Sequence, residues 1–188
     1  MRFINDIIIH CSGNSIQDGQ SKIHAQDIVR YHTQTRGWSR CGYHYIVECD
    51  GTVVKVGEIS RPGIHCKGHN AHSIGICYIG GLNAQGEPED TRTPVQKSAI
   101  LKLVTQLIQL YHCDVHGHRD YSNKPCPSYD AHSEYHKIYL RTVIPGYHGY
   151  ERNLEDGTQG SRLYHQPHSV GHRRWNSRHN DVGSYSCC

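Results

Sequence analysis

A chain of 188 residues is long enough for one domain with a sizeable apolar core and an appendage. Its formal charge of +3 comes without any Lys/Arg-rich run, which argues against a nucleic-acid binder. No apolar stretch approaches the length of a membrane span, and the small positive balance suits an anionic polymer as substrate.

Nine cysteines and seventeen histidines are both high counts, and nine cysteines cannot all pair within one chain. Cys77, inside the apolar run SIGICYIGG, reads as a small buried hydrophobe. The opening MRFINDIIIHCS has no basic n-region, long apolar h-region or cleavage site, so no secretory signal is expected. A soluble protein made in a reducing cytoplasm is the default expectation, and there cysteines are more often metal ligands, catalytic groups or buried thiols than bridges.

Residues 4–10 are a β-branched run that predicts a buried strand ending at His10. Over 25–35 the spacing of Ile28, Val29 and His32 predicts an amphipathic helix, stopped by Gly37. Short strands over 42–48 and 52–56 flank Asp50-Gly51, a strong hairpin signal. Residues 73–79 predict another apolar strand, followed by a flexible loop, GGLNAQGEPEDTRT.

Thr93-Pro94-Val95-Gln96 marks a helix start, with Thr93 as cap, Pro94 at the first helical position and Gln96 closing a capping box. Ile100, Leu103, Val104, Leu107, Ile108 and Tyr111 then recur at helical spacing, so this helix packs on a sheet. The alternation of strands and helices predicts an α/β domain with a central mixed β-sheet flanked by helices. After Ile144 apolar residues thin out and Gly, His, Arg, Ser and Asn dominate. A domain is expected over 1–145, with a poorly ordered polar tail over 146–188 and no second domain or repeat.

Residues 115–130 read VHGHRDYSNKPCPSYD. His118 and Cys126 span a polar loop, and Pro125 and Pro127 restrict the backbone around the cysteine. Zinc takes imidazole and thiolate ligands, and a catalytic site uses three of them with the fourth position left for water. His10 is the best third ligand, because it ends a buried strand and small polar residues follow it. Spacing alone leaves a second reading open for each residue: solvated loop histidines, a buried thiol at Cys126, a packing aromatic at Tyr43 and a solvated Lys124.

Four motifs occur in order: HCS at 10–12, GWSRCGYHYIVECDGTVVKVG at 37–57, PGIHCKGHNAHSIGICYIGG at 62–81 and GHRDYSNKPCPSYD at 117–130. Together they resemble the zinc-dependent N-acetylmuramoyl-L-alanine amidases of the type 2 amidase family over residues 4–132. That family includes phage endolysins and is related to the peptidoglycan recognition proteins. The resemblance implies an amidase/peptidoglycan-recognition-protein-like fold, a Zn2+ cofactor, and hydrolysis of the amide between N-acetylmuramic acid and L-alanine in peptidoglycan. By position, His10, His118 and Cys126 correspond to zinc ligands, and Tyr43 and Lys124 to functional residues of the phage enzymes. His65, Gly68 and Asn70 match the family's HxxGxN pattern beside the substrate groove, so His65, Lys67 and Asn70 are expected to bind substrate. The alternative there is a structural loop in which Asn70 supports its own turn. His116 does not match and is expected to be a bystander.

The residue chemistry agrees with the resemblance. Water attacks an amide slowly, whereas zinc lowers a bound water's pKa to about 7 and polarises a carbonyl. Lys124 would add positive charge to a developing oxyanion. Tyr43 would orient the water or assist proton transfer, although a phenol near pKa ~10 is a poor base. A phage or prophage endolysin acting on the cell wall after release is expected, with a recycling amidase for soluble muropeptides as the close variant. A non-catalytic peptidoglycan-binding module of the same fold is the alternative, and Cys126, typically lost in such proteins, favours the enzyme. A purely structural zinc requires a fourth protein ligand, for which Cys11 or His116 would serve.

Overall fold

A computed structural model describes residues 2–144 and residue 147, so the tail expected over 146–188 lies, apart from Tyr147, outside the described residues. Its centre is β1 (Asp6–Cys11), paired in parallel with β5 (Ser73–Tyr78) on one side and β7 (Asp114–Gly117) on the other. On its far side β5 pairs in parallel with β3 (Tyr45–Val47), which pairs antiparallel with β4 (Val53–Lys55). The five-stranded order β4-β3-β5-β1-β7 is the mixed sheet that the sequence predicts.

Parallel strands are covered on both faces, which is why DIIIHC and SIGICY read as nearly continuous apolar runs. On one face Ile7, Ile9, Ile74, Ile76 and Tyr78 join Ile100, Val104, Leu107 and Ile108 of α2 (Pro94–Tyr111) and Tyr135 of α3 (Ala131–Val143). On the other, Ile46, Cys77 and Ile79 pack with Tyr43, Ile23 and Ile28 of α1 (Ala25–Arg30). Each such buried Ile or Leu contributes about 1.5–3 kcal/mol relative to exposure. Side chains alternate along a strand, so His10 faces away from the helical core that holds Ile9, and its ring lies 5.2 Å from that of Tyr43.

The start of α2 follows the capping reading. The Thr93 hydroxyl accepts the Gln96 N–H at 3.1 Å, and Gln96 Oε1 accepts the Thr93 N–H at 3.0 Å. The same two side chains dock the helix on the sheet. Thr93 donates to the Cys49 carbonyl, and Gln96 Nε2 donates to the carbonyls of Val47 and Ile79.

Several expectations shift in detail. The helix predicted over 25–35 is α-helical for Ala25–Arg30 and widens into a π turn over Tyr31–Thr35, with Gly37 at φ +68° just beyond. The first hairpin strand is shorter than 42–48, so Tyr43 precedes β3 instead of lying within it. The stretch read as a flexible loop contains β6 (Gly81–Leu82), paired in parallel with β2 (Asn14–Ser15). It also contains Arg92, whose nearly fully buried side chain binds the carboxylates of Asp90 and Glu134 and the Tyr135 hydroxyl. The guanidinium lies 3.3 Å above the Tyr129 ring, so one cation ties the loop to α3 and to the segment after Cys126. No helix among the described residues is long and apolar enough to cross a membrane.

Candidate metal centre and active site

His10 is buried near the end of β1, and His118 opens a short turn (His118–Asp120) directly after the neighbouring β7. The Asp120 carboxylate accepts the Gly117 N–H at 2.8 Å and fixes that turn. The chain then doubles back: the Arg119 N–H donates to the Cys126 carbonyl at 2.6 Å, and the Ser122 hydroxyl donates to the His118 carbonyl at 3.1 Å. Pro127, joined to Cys126 by a cis peptide, packs so closely on β7 that a Cβ on Gly117 would lie 2.7 Å from its Cδ. This close return brings Cys126 over the end of β1, where the Cys11 N–H donates to its Sγ at 3.3 Å.

His10, His118 and Cys126 are all buried, and their ligand atoms lie within 4.8 Å of one another, so the three side chains could hold a metal ion. His10 Nδ1 is 3.8 Å from Cys126 Sγ, and the His10 and His118 rings are 4.6 Å apart. Two imidazoles and a thiol that can ionise form a donor set that suits zinc. Cys11 and His116 lie outside this group, so among the described residues it counts three donors and not the four of a closed structural site.

A chain of hydrogen bonds determines which His10 nitrogen is available. The Ser73 hydroxyl gives its one proton to the His69 carbonyl at 2.8 Å. Its oxygen can therefore only accept from His65 Nε2, 3.3 Å away. A neutral His65 protonated at Nε2 must accept at Nδ1, which is 3.1 Å from His10 Nε2. His10 accordingly carries its proton on Nε2 and turns the Nδ1 lone pair toward Cys126 Sγ. Burial, and after it the neighbouring imidazole of His65 for His10 and of His44 for His65, holds both groups well below the usual imidazole range, so both are neutral.

Around this pair the other expected residues divide. Tyr43 is buried between His10 and His32, whose rings are 5.2 and 5.3 Å from its own. His32 stacks on Trp38 at 4.6 Å, accepts the Gly42 N–H at Nδ1, and is pushed down to about 4 by burial and then by Arg36. Lys124 is exposed, and its charge reaches His10.

Lys67 is exposed at the tip of its loop. Asn70 Oδ1 accepts the backbone N–H groups of His65 and Cys66 at 2.8 and 3.0 Å, so it braces its own turn, the alternative left open above. His65, expected to bind substrate, lies beside His10. It is 3% exposed, and a Cβ on Gly75 would lie 2.6 Å from its ring. His116 stacks on His132 and is not among the three converging donors. Sequence reasoning missed Ser73 and the His32–Trp38 stack; nothing in a linear pattern marks a serine as the anchor of a tautomer.

The family profile described as N-acetylmuramoyl-L-alanine amidase matches residues 1–129, and the chain belongs to that family. It is 34% identical to an endolysin of Klebsiella phage KP32 over 143 residues, which is 76% of this chain and 92% of that protein. It is 32% identical to an endolysin of Escherichia phage T7, covering 74% and 91% of the two chains. Among solved structures, the N-acetylmuramoyl-L-alanine amidase LysC from Clostridium intestinale URNW superposes with a TM-score of 0.58 at 29% identity, covering 73% of this chain and 85% of that one.

Proposed function

We propose that His10, His118 and Cys126 hold a Zn2+ ion, and that this amidase cleaves the bond between N-acetylmuramic acid and L-alanine in peptidoglycan as a phage endolysin. The observation that carries the reading is the convergence of three buried donors with the His10 Nδ1 lone pair aimed at Cys126 Sγ. When bound there, zinc would supply Lewis acidity toward the amide carbonyl and a water acidic enough to react near neutral pH.

The remaining work falls to this chain's own side chains. Lys124, exposed two residues before Cys126, supplies positive charge for the oxygen that gains negative charge during cleavage. Tyr43, fixed between two histidine rings, places its phenol beside His10 and orients the attacking water. His65 and Ser73 act as positioning residues that keep His10 in its ligand tautomer. Lys67 is the substrate contact on the neighbouring loop, and Asn70 holds that loop in shape. The site of action is the bacterial cell wall, reached after synthesis in the cytoplasm, with residues 1–145 as the amidase domain and 146–188 as a polar tail.

The test measures metal content and the release of free L-alanine amino termini from purified peptidoglycan. The wild-type protein should bind zinc at this centre and cleave; Cys126→Ser should lose one equivalent of zinc and the cleavage. Cleavage that survives the substitution and chelation together would refute the zinc centre. Zinc binding without cleavage would refute the hydrolytic reading.

A further inference from the structure

The free edge of the sheet, away from the amide-cleaving centre, carries a second concentration of ligand-type side chains. Asp114 and His116 share one face of the edge strand β7, and α3 lays His132 and His136 over them. The two α3 histidines are one helical turn apart and so lie on one face of the helix. Asp114, His132 and His136 offer ligand atoms that all lie within 4.8 Å of one another, in a half-buried position open to solvent on one side.

The orientation of these groups matches that of ligands held from behind. His132 Nδ1 donates to the Val115 carbonyl at 3.0 Å, which leaves Nε2 as its lone-pair nitrogen. His136 Nδ1 is 2.9 and 3.1 Å from the two Asp114 oxygens. Neighbouring ligands on one ion, each at ~2.1 Å, stand roughly 3.0–3.4 Å apart, so His136 and Asp114 need little movement to share an ion once it displaces the proton between them, and His132 lies within 4.8 Å of both. His116 stacks on His132 at 4.9 Å with planes 8° apart, which helps to hold that ring in place. Asp6 and Asp120 lie 3.7 and 3.8 Å from the His116 nitrogens, so the same edge carries three carboxylates.

We propose that Asp114, His132 and His136 form a second divalent-metal site, taking a first-row transition ion of the Zn2+ kind through two imidazole nitrogens and one carboxylate, with water on the remaining positions. An ion there clamps α3 to β7. Because α3 starts at Ala131, five residues after Cys126, the clamp also braces the loop that carries the candidate catalytic ligands. The donor set lacks a thiolate, which separates it chemically from the His10–His118–Cys126 centre.

The test uses the full chain in a Cys126→Ser background, so that it does not depend on the amidase reading. Zn2+ binding is measured by equilibrium dialysis with elemental analysis, and melting temperature is followed against Zn2+. Adding His132→Ala and His136→Ala should remove one equivalent of bound Zn2+ and abolish the Zn2+-dependent rise in melting temperature. The tail's histidines and cysteines are common to both chains and cancel in the difference. Asp114→Asn, nearly isosteric and checked by far-UV circular dichroism, should weaken that equivalent roughly tenfold or more. Equal stoichiometry with and without the two histidines overturns the proposal and leaves His136–Asp114 as a plain ion pair. If the double histidine substitution unfolds the domain, Asp114→Asn decides alone, and an unchanged Zn2+ affinity overturns it.

Discussion

Replacing His65 tests whether a residue behind the proposed metal centre sets the state of His10. In His65→Leu the side-chain volume is roughly kept, but His10 Nε2–H loses its acceptor at 3.1 Å. His10 is buried, so water does not replace that partner cheaply, and the proton is free to move to Nδ1, the nitrogen that faces Cys126 Sγ. Loss of a partner that orients a metal-binding histidine costs about 10–100-fold in metal affinity, or roughly 1.4–2.7 kcal/mol. His65→Asn offers an amide oxygen near the position of Nδ1 and should restore part of the loss. Competition between the protein and a chromogenic chelator reads zinc affinity directly, without recourse to activity. A purely structural role predicts that His65→Leu and His65→Asn lower melting temperature alike while zinc affinity stays put. Wild-type zinc affinity in His65→Leu would refute the tautomer argument.

Two further expectations concern the supports of the same loop. Arg92→Met removes a buried cation from between Asp90 and Glu134 and should destabilise the domain by about 2–4 kcal/mol, below the full cost of orphaning a buried charge because both carboxylates reach solvent. Burial raises the Asp90 carboxyl, but bonding to Arg92, its charge and Lys97 outweigh this and hold it down at about 2. That contribution, at most about 2 kcal/mol, is present above the unfolded carboxyl value and is lost as pH falls through the folded one, so the loss below pH ~4 should be shallower in Arg92→Met by urea titration. Gly117→Ala should cost about 1–3 kcal/mol by overpacking on Pro127, and zinc affinity should fall with melting temperature because the displaced loop carries Cys126. Gly117 has φ −86°, so no backbone strain contributes; wild-type stability in this variant would show that Pro127 gives way freely.

The parts of this protein legible in its sequence are those where one residue type has one dominant local role. The β-branched run before His10, the Thr93–Pro94–Gln96 start of α2 and the stripe from Ile100 to Ile108 declare themselves by period and capping chemistry. Helix α3 does not, because it buries Ala131 and Tyr135 while its other packed residues are only partly covered, and histidines fill the face toward β7. Strand β7 is four residues long with only Val115 and Gly117 buried, too little for an alternation signal. Arg92 was read with a polar, flexible loop because nothing local distinguishes a guanidinium that folds inward onto Tyr129 from one that stays in water.

The candidate ligands were legible only as a set, since His10 and Cys126 are 116 residues apart and neither is unusual alone. What the motifs could not convey is polarity, the direction in which each hydrogen bond runs. At the first centre the direction starts from the His69 carbonyl and passes through Ser73 and His65 to His10. At the sheet edge it starts from the Val115 carbonyl and reaches His132 in one step. A backbone carbonyl cannot donate, so with neutral imidazoles each chain has a fixed sense, and each ends on an imidazole nitrogen with its lone pair presented outward. The two clusters therefore share a construction principle and differ in donor chemistry: one is buried and includes a thiol, the other is half-exposed and includes a carboxylate. The proposed soft-ligand centre and the proposed harder, half-exposed clamp should therefore separate in a single metal titration.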